Sequence, residues 1–213
     1  MKKVVILGGR GTGIIAASIA QETGIEVIGM LNDRLEVGET QGKFTQFKVL
    51  GKINEVHKFI QDENVYAFIA FKTMKKEKEM WELLQSLQIP SKKFINLIHP
   101  SAKLNPDYCK LGNGILMAPN AQLSADTTIG DNCMILGNAF IGHDAILEPY
   151  VTVTNNASIG ARVHIGTAAH IGSNATVRQG VKLGDFSLVG MHSLVLQDVP
   201  EGQIVVGVPA KPM

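Results

Sequence analysis

His143 and Asp144 stand side by side in the stretch AFIGHDAILEPY, residues 139–150. A neutral imidazole accepts a proton near pH 7. A carboxylate beside it orients the ring and stabilises the imidazolium that forms. The pair therefore suits general-base work; its bland counterpart is a solvated polar pair in a surface turn. A second stretch with chemical potential is GGRGTG, residues 8–13, which follows an apolar run and opens a helical one. Backbone N–H groups at the start of a helix suit phosphate. Ile14 stands where the third glycine of a GxGxxG fingerprint belongs, so a dinucleotide cofactor is not expected. Cys109 and Cys133 form neither a CxxC motif nor a zinc-ligand spacing, which fits a reducing compartment without disulfides.

The dyad lies within an array of short repeats. From Leu111 to Val195 an aliphatic residue recurs every six positions, fifteen times in phase and without insertion. The fifth residue of each hexad is restricted as well, as at Ile115, Ala121, Cys133, Ala139, Val151 and Val163, and the second is often glycine. Such regularity marks a repeat architecture. The fifth residue and the first of the next hexad are two apart, so both face inward on a short strand. The three residues between them are rich in Gly, Asn and Asp, which favour turns and tolerate left-handed backbone. Three strands and three turns close an 18-residue triangular coil, and positions 18 apart stack at about 4.8 Å. Asn120, Asn138, Asn156 and Asn174, followed by His192, form one such column, and an asparagine ladder is expected there. His143 and Asp144 are the third and fourth residues of their hexad, at an outer corner, with the small Ala125 and Ala161 stacked below and above His143. An exposed corner lacks a second wall. A homotrimer with a site shared between subunits is therefore expected.

Residues 1–98 follow a different pattern. Apolar runs KVVILGG, EVIGML, VYAFIAF and KFINLIH read as strands, and they alternate with helical faces. The residues at helical spacing are Ile14, Ile15, Ser18 and Ile19; Ile53, Val56, Phe59 and Ile60; and Met80, Leu83, Leu84 and Leu87. That order predicts a parallel sheet with helices on its faces. The domains expected are 1–98, an α/β Rossmann-like unit, and 99–213, a parallel β-helix. Hydrophobic residues make up 45% and charged residues 18% of the 213-residue chain, with net charge +1 and no basic stripe, which disfavours nucleic acid as a partner. No apolar run approaches the roughly 18 residues needed to span a bilayer, and a cytoplasmic protein is expected.

The motifs VVILGGRGTG, NLIHPSA, IGHDAIL and VPEGQIVVGVPAKPM, together with the hexad array, resemble the bacterial nucleotide-sugar acetyltransferases of the hexapeptide-repeat superfamily. This group includes the bacillosamine-pathway and perosamine N-acetyltransferases and the sialic acid O-acetyltransferase-like proteins. The resemblance spans essentially the whole chain. It implies a left-handed β-helix, acetyl-CoA as co-substrate, a nucleotide-linked amino sugar as acceptor and no metal. By the same resemblance His143 is the general base and Asp144 raises its basicity. Thr152 occupies a position where relatives often carry a second histidine on acetyl-CoA, and His170, one coil above, is a substitute for it. Ser173 and Met191 match positions near the pantetheine and adenine ends of CoA; Met191 stands where relatives have glycine. Arg10, Gly11, Thr12, Asn32 and Asp33 match residues that hold the nucleotide-sugar, and Lys72 replaces a glycine beside its diphosphate. His99 at the junction is expected to be structural.

Two other classes share the β-helix. A zinc carbonic anhydrase needs three histidines converging between subunits, and the spacing of His143, His164, His170 and His192 does not match that pattern. A non-catalytic scaffold would explain the departures at Thr152 and Met191 but not the intact His143–Asp144 pair. Within the resembled family, O-acetylation of a sialic acid-like sugar is the alternative to N-acetylation of a 4-amino group, since both use the same base.

Overall fold

The computed structural model describes residues 1–71 and 76–213. Its first half is an α/β unit. Strand β1 (Lys3–Leu7) lies between β2 (Glu26–Leu31) and β5 (Val65–Ile69), and β4 (Phe47–Gly51) pairs with β2, all in parallel. The short β3 (Thr40–Gln41) closes the β4 edge in antiparallel fashion. Val4, Val5, Ile6 and Leu7 are fully buried, as a strand covered on both faces requires. Helix α1 (Thr12–Glu22) stops before Gly24, whose φ of +74° gives the left-handed turn that ends it. Ile53, Val56 and Ile60 bury one face of the turn leading into α2 (His57–Ile60), and Leu84 and Leu87 bury one face of α3 (Glu77–Ser86).

The second half is a parallel β-helix with three faces. One face stacks strands at 109–111, 127–129, 146–147, 164–165 and 182–183; the second stacks 97–98, 116–117, 134–135, 152–153, 170–171, 188–189 and 204–206; the third stacks 122–123, 140–141, 158–159, 176–177 and 194–195. Pairing is 18 residues apart, as in Gln122↔Phe140↔Ser158. The first and fifth hexad residues fill the prism, and Ile135, Ile141, Val153, Ile159 and Ile165 are all 0% exposed. Cys133 belongs to the same core.

The corners divide their labour more finely than composition suggests. Left-handed backbone falls on the fourth hexad residue, from Gly114 (φ +74°) and Asn120 (φ +59°) through Asp144 (φ +56°) to His192 (φ +56°). Asparagine and aspartate tolerate that region best among side-chain-bearing residues, which accounts for the asparagine column. The column is joined through the backbone, since Asn138, Asn156 and Asn174 donate to carbonyls of the coil beneath, and Asn174 Nδ2 lies 3.2 Å from His192 Nε2. The second-position glycines answer a different need. A Cβ on Gly142 would sit 2.6 Å from the Ala161 nitrogen in the coil above, so stacking itself excludes a side chain there.

The expected fourth strand of the α/β sheet is divided. Phe94 bridges to Ala67 in β5, but Leu97–Ile98 pairs with Leu116–Met117 and begins the second face of the β-helix. The α/β unit rests on that face and on the corner beside it. Ala16, Ala17 and Ala20 of α1 share a core with Leu116, Ala118 and Met134. Trp81 meets Tyr150 edge-on, with ring centroids 4.8 Å apart. His99 bonds to Glu22 of α1 at 2.8 Å and to Ser101 at 2.8 Å, so it ties the junction together, as expected of it.

Candidate active site

His143 follows Gly142 on the corner between the third and first faces. Its Nδ1 lies 2.6 Å from Asp144 Oδ2, and both side chains are about half exposed, at 52% and 53%. The backbone fixes the corner on both sides: Asp144 N donates to Ala125 O at 3.1 Å, and Arg162 N donates to His143 O at 2.8 Å. With an Nδ1–H donating to the carboxylate, Nε2 carries the lone pair and is the ring's acceptor. Large apolar side chains flank the corner, Phe140 (41% exposed) on one strand and Ile146 (43%) on the next.

A pocket of about 410 Å³ opens at the carboxyl ends of β1, β2 and β5. Ligands of open parallel sheets bind at such strand ends. Arg10, Gly11, Thr12, Asn32 and Asp33 all line it, so five residues singled out by sequence meet in one cavity. Gly8 is required at its floor: its φ is +95°, and a Cβ there would lie 3.0 Å from that of Phe71. Asn32 Oδ1 accepts from Arg34 N at 2.9 Å, and Asp33 Oδ1 accepts from Ile53 N at 2.9 Å. Part of each side chain is thus spent on shaping the loop. Ile53, Phe71 and Met80 also line the pocket; sequence reading placed Ile53 and Met80 on helical faces and Phe71 at a strand end. Lys72 lies outside the described residues.

The remaining positions occupy other parts of the prism. Thr152 and His170 are register partners on the second face, and Thr152 is only 4% exposed. Ser173 and Met191 lie on the next corner; Ser173 Oγ donates to Thr154 Oγ1 at 3.2 Å, and Met191 is 72% exposed. Within one chain the dyad, the strand-end pocket and these four residues stand at separate sites. His164, on the first face, bonds to Glu148 at 3.0 Å. Among the described residues no group of three His, Cys, Asp or Glu side chains is disposed to hold a metal ion, and no helix is long and apolar enough to cross a membrane.

No protein-family model matches the chain, and no curated protein sequence does. Solved structures do. A mutant of perosamine N-acetyltransferase from Caulobacter crescentus, in complex with CoA and GDP-perosamine, superposes with a TM-score of 0.86 at 24% identity, covering 100% of this chain and 97% of that one. The acetyltransferase domain of PglB from Neisseria gonorrhoeae, in complex with acetyl coenzyme A, superposes with a TM-score of 0.83 at 25% identity over 100% and 99% of the two chains. The chain has the fold of the nucleotide-sugar acetyltransferases. LpxA from Acinetobacter baumannii aligns with 55% of this chain at 28% identity and a TM-score of 0.52. The perosamine N-acetyltransferase mutant was solved with CoA and the PglB domain with acetyl coenzyme A.

Proposed function

We propose that the protein transfers an acetyl group from acetyl-CoA to an amine of a nucleotide-linked sugar, with His143 as the general base. The observation that carries this reading is the 2.6 Å contact between His143 Nδ1 and Asp144 on a half-exposed corner, which leaves Nε2 as the acceptor. The sugar amine attacks the thioester carbonyl carbon as Nε2 takes its proton. The C–S bond then breaks, CoA leaves as its thiolate, and the imidazolium returns the proton to the sulfur. Asp144 stabilises the imidazolium while it lasts.

The strand-end pocket suits the nucleotide, with the α1 N-terminus directed at phosphate. Ser173, Met191, Thr152 and His170 are the proposed contacts for CoA, Met191 through its backbone. Lys72 is proposed beside the diphosphate. Because the dyad and the pocket stand apart in one chain, the site is proposed to be completed between subunits of a homotrimer. Phe140 and Ile146, exposed on either side of His143, favour such an assembly.

The test offers acetyl-CoA with UDP-, GDP- and dTDP-linked 4-amino sugars and follows CoA thiol release and product mass. An N-acetylated sugar nucleotide is expected. Acetyl transfer to a sialic acid-like hydroxyl and to none of these amines would replace N- by O-acetylation. Absence of any transfer, together with no binding of acetyl-CoA, would leave a scaffold.

A further inference from the structure

One coil beneath the dyad lies a hollow of about 220 Å³, lined by Asn105, Tyr108, Cys109, Leu123, Ser124 and Ala125. Its relation to the dyad is fixed by the coil. Asp144 N donates to Ala125 O at 3.1 Å, and Gln122–Leu123 pairs in register with Phe140–Ile141. The offset is a single strand spacing, about 4.8 Å. The hollow exists because the corner beneath His143 carries small residues, Ser124 and Ala125, and because the chain enters the β-helix through a turn at Pro106–Tyr108. That turn is held by Asn105 Oδ1, which accepts from Asp107 N at 3.1 Å and leaves the Asn105 amide as a donor. Tyr108 is 56% exposed and stands as a side wall.

Size and lining select the occupant. Pockets for complete drug-sized ligands run from about 300 to 1,000 Å³; at 220 Å³ this one takes a single ring rather than a coenzyme. An aromatic wall offers its face to apolar C–H groups, while an amide, a tyrosine hydroxyl and a serine hydroxyl offer hydrogen bonds at the rim. A pyranose presents that combination of C–H face and hydroxyl edge. The strand-end pocket is the size of a nucleotide, so the sugar must project from it to be acetylated.

We propose that the hollow beneath His143, walled by Tyr108, receives the pyranose ring of the acceptor and selects which sugar is acetylated. The inference rests on the acetyltransferase reading above. A ring seated there holds an exocyclic amine one strand spacing below the imidazole, within reach of Nε2.

The test uses Tyr108→Ala and Ala125→Phe in the full chain, with acetyl-CoA and GDP-perosamine or the UDP- or dTDP-linked 4-amino sugar that the wild-type protein turns over best. Both positions are exposed, and thermal melting checks that each variant folds. The expected result is a rise in KM for the sugar nucleotide on the order of 10-fold, with KM for acetyl-CoA unchanged. An unchanged sugar-nucleotide KM in both variants, or a rise in KM for acetyl-CoA instead, overturns the assignment while leaving the acetyltransferase reading intact. Failure of the wild-type protein to acetylate any of these acceptors removes that reading and this inference with it.

Discussion

The strand-end pocket draws its lining from five segments of the α/β unit, whereas the dyad comes from two adjacent residues on one corner of the β-helix. The first arrangement depends on how separate elements pack, so Gly8, Asn32, Ile53, Phe71 and Met80 meet only once the sheet is assembled. The second is fixed by a repeat. The fourth hexad residues from Gly114 to His192 share one left-handed backbone and the first and fifth residues from Ile115 to Val195 are buried, so a functional pair can replace an asparagine corner without altering its neighbours. Rigid placement on a repeated element suits a general base, whose geometry must hold to within a fraction of an ångström.

The comparison can be broken first through the core. Ile135→Ala removes a fully buried side chain from the single file within the prism and is expected to cost about 2–5 kcal/mol, read as a lower denaturation midpoint. The same change at the exposed Ile15 of α1 should cost under about 0.5 kcal/mol.

Next in size is the joint between the halves. Burial, and then the nearby Asp131 charge, push the Tyr150 phenol up to about 12, against the opposing hydrogen bond from Asn132. A raised folded-state value means that the folded protein holds the proton more tightly. The contribution is complete below about pH 10, the unfolded value, and is lost as pH rises through about 12, by roughly 2–3 kcal/mol in all. Tyr150→Phe should flatten that alkaline loss in pH-dependent melts.

Gly142→Ala tests the stacking rule. Its Cβ would meet the Ala161 nitrogen at 2.6 Å, and a cost of about 1–3 kcal/mol is expected. Activity should fall beyond what the loss of folded protein explains, because His143 is the next residue. The smallest stability effect separates two substitutions of Asp144, whose φ is +56°. Asp144→Ala should lose about 1 kcal/mol to left-handed strain, while Asp144→Asn should melt near wild type. Both should lose the carboxylate's share of catalysis.

The sequence reads unequally in the two halves for the same reason. Hexad phase alone placed every inward residue from Ile115 to Val195, and it placed His143 and Asp144 on a corner. It did not separate the glycines that permit close stacking from the residues that adopt left-handed backbone, because both kinds crowd the same turn. In the α/β half, the resemblance grouped residues of GGRGTG with Asn32 and Asp33, and all of them line one cavity. The pair β3 and β4 carries no strong signal, because β3 is two polar residues, Thr40–Gln41, and the short apolar run of β4 is interrupted by Lys48. KFINLIH read as one strand, although Phe94 serves β5 and Leu97–Ile98 serves the β-helix. The hollow at Tyr108 had no signal in sequence, since its walls are set by where the chain enters the first coil.

The most direct measurement is acetyl transfer by His143→Ala, compared with wild type under saturating acetyl-CoA. His143 is half exposed at a third hexad position, so the variant should fold and bind acetyl-CoA as wild type does. Turnover is predicted to fall on the order of 10²–10⁴-fold. An unchanged rate in a folded, acetyl-CoA-binding variant would contradict the account.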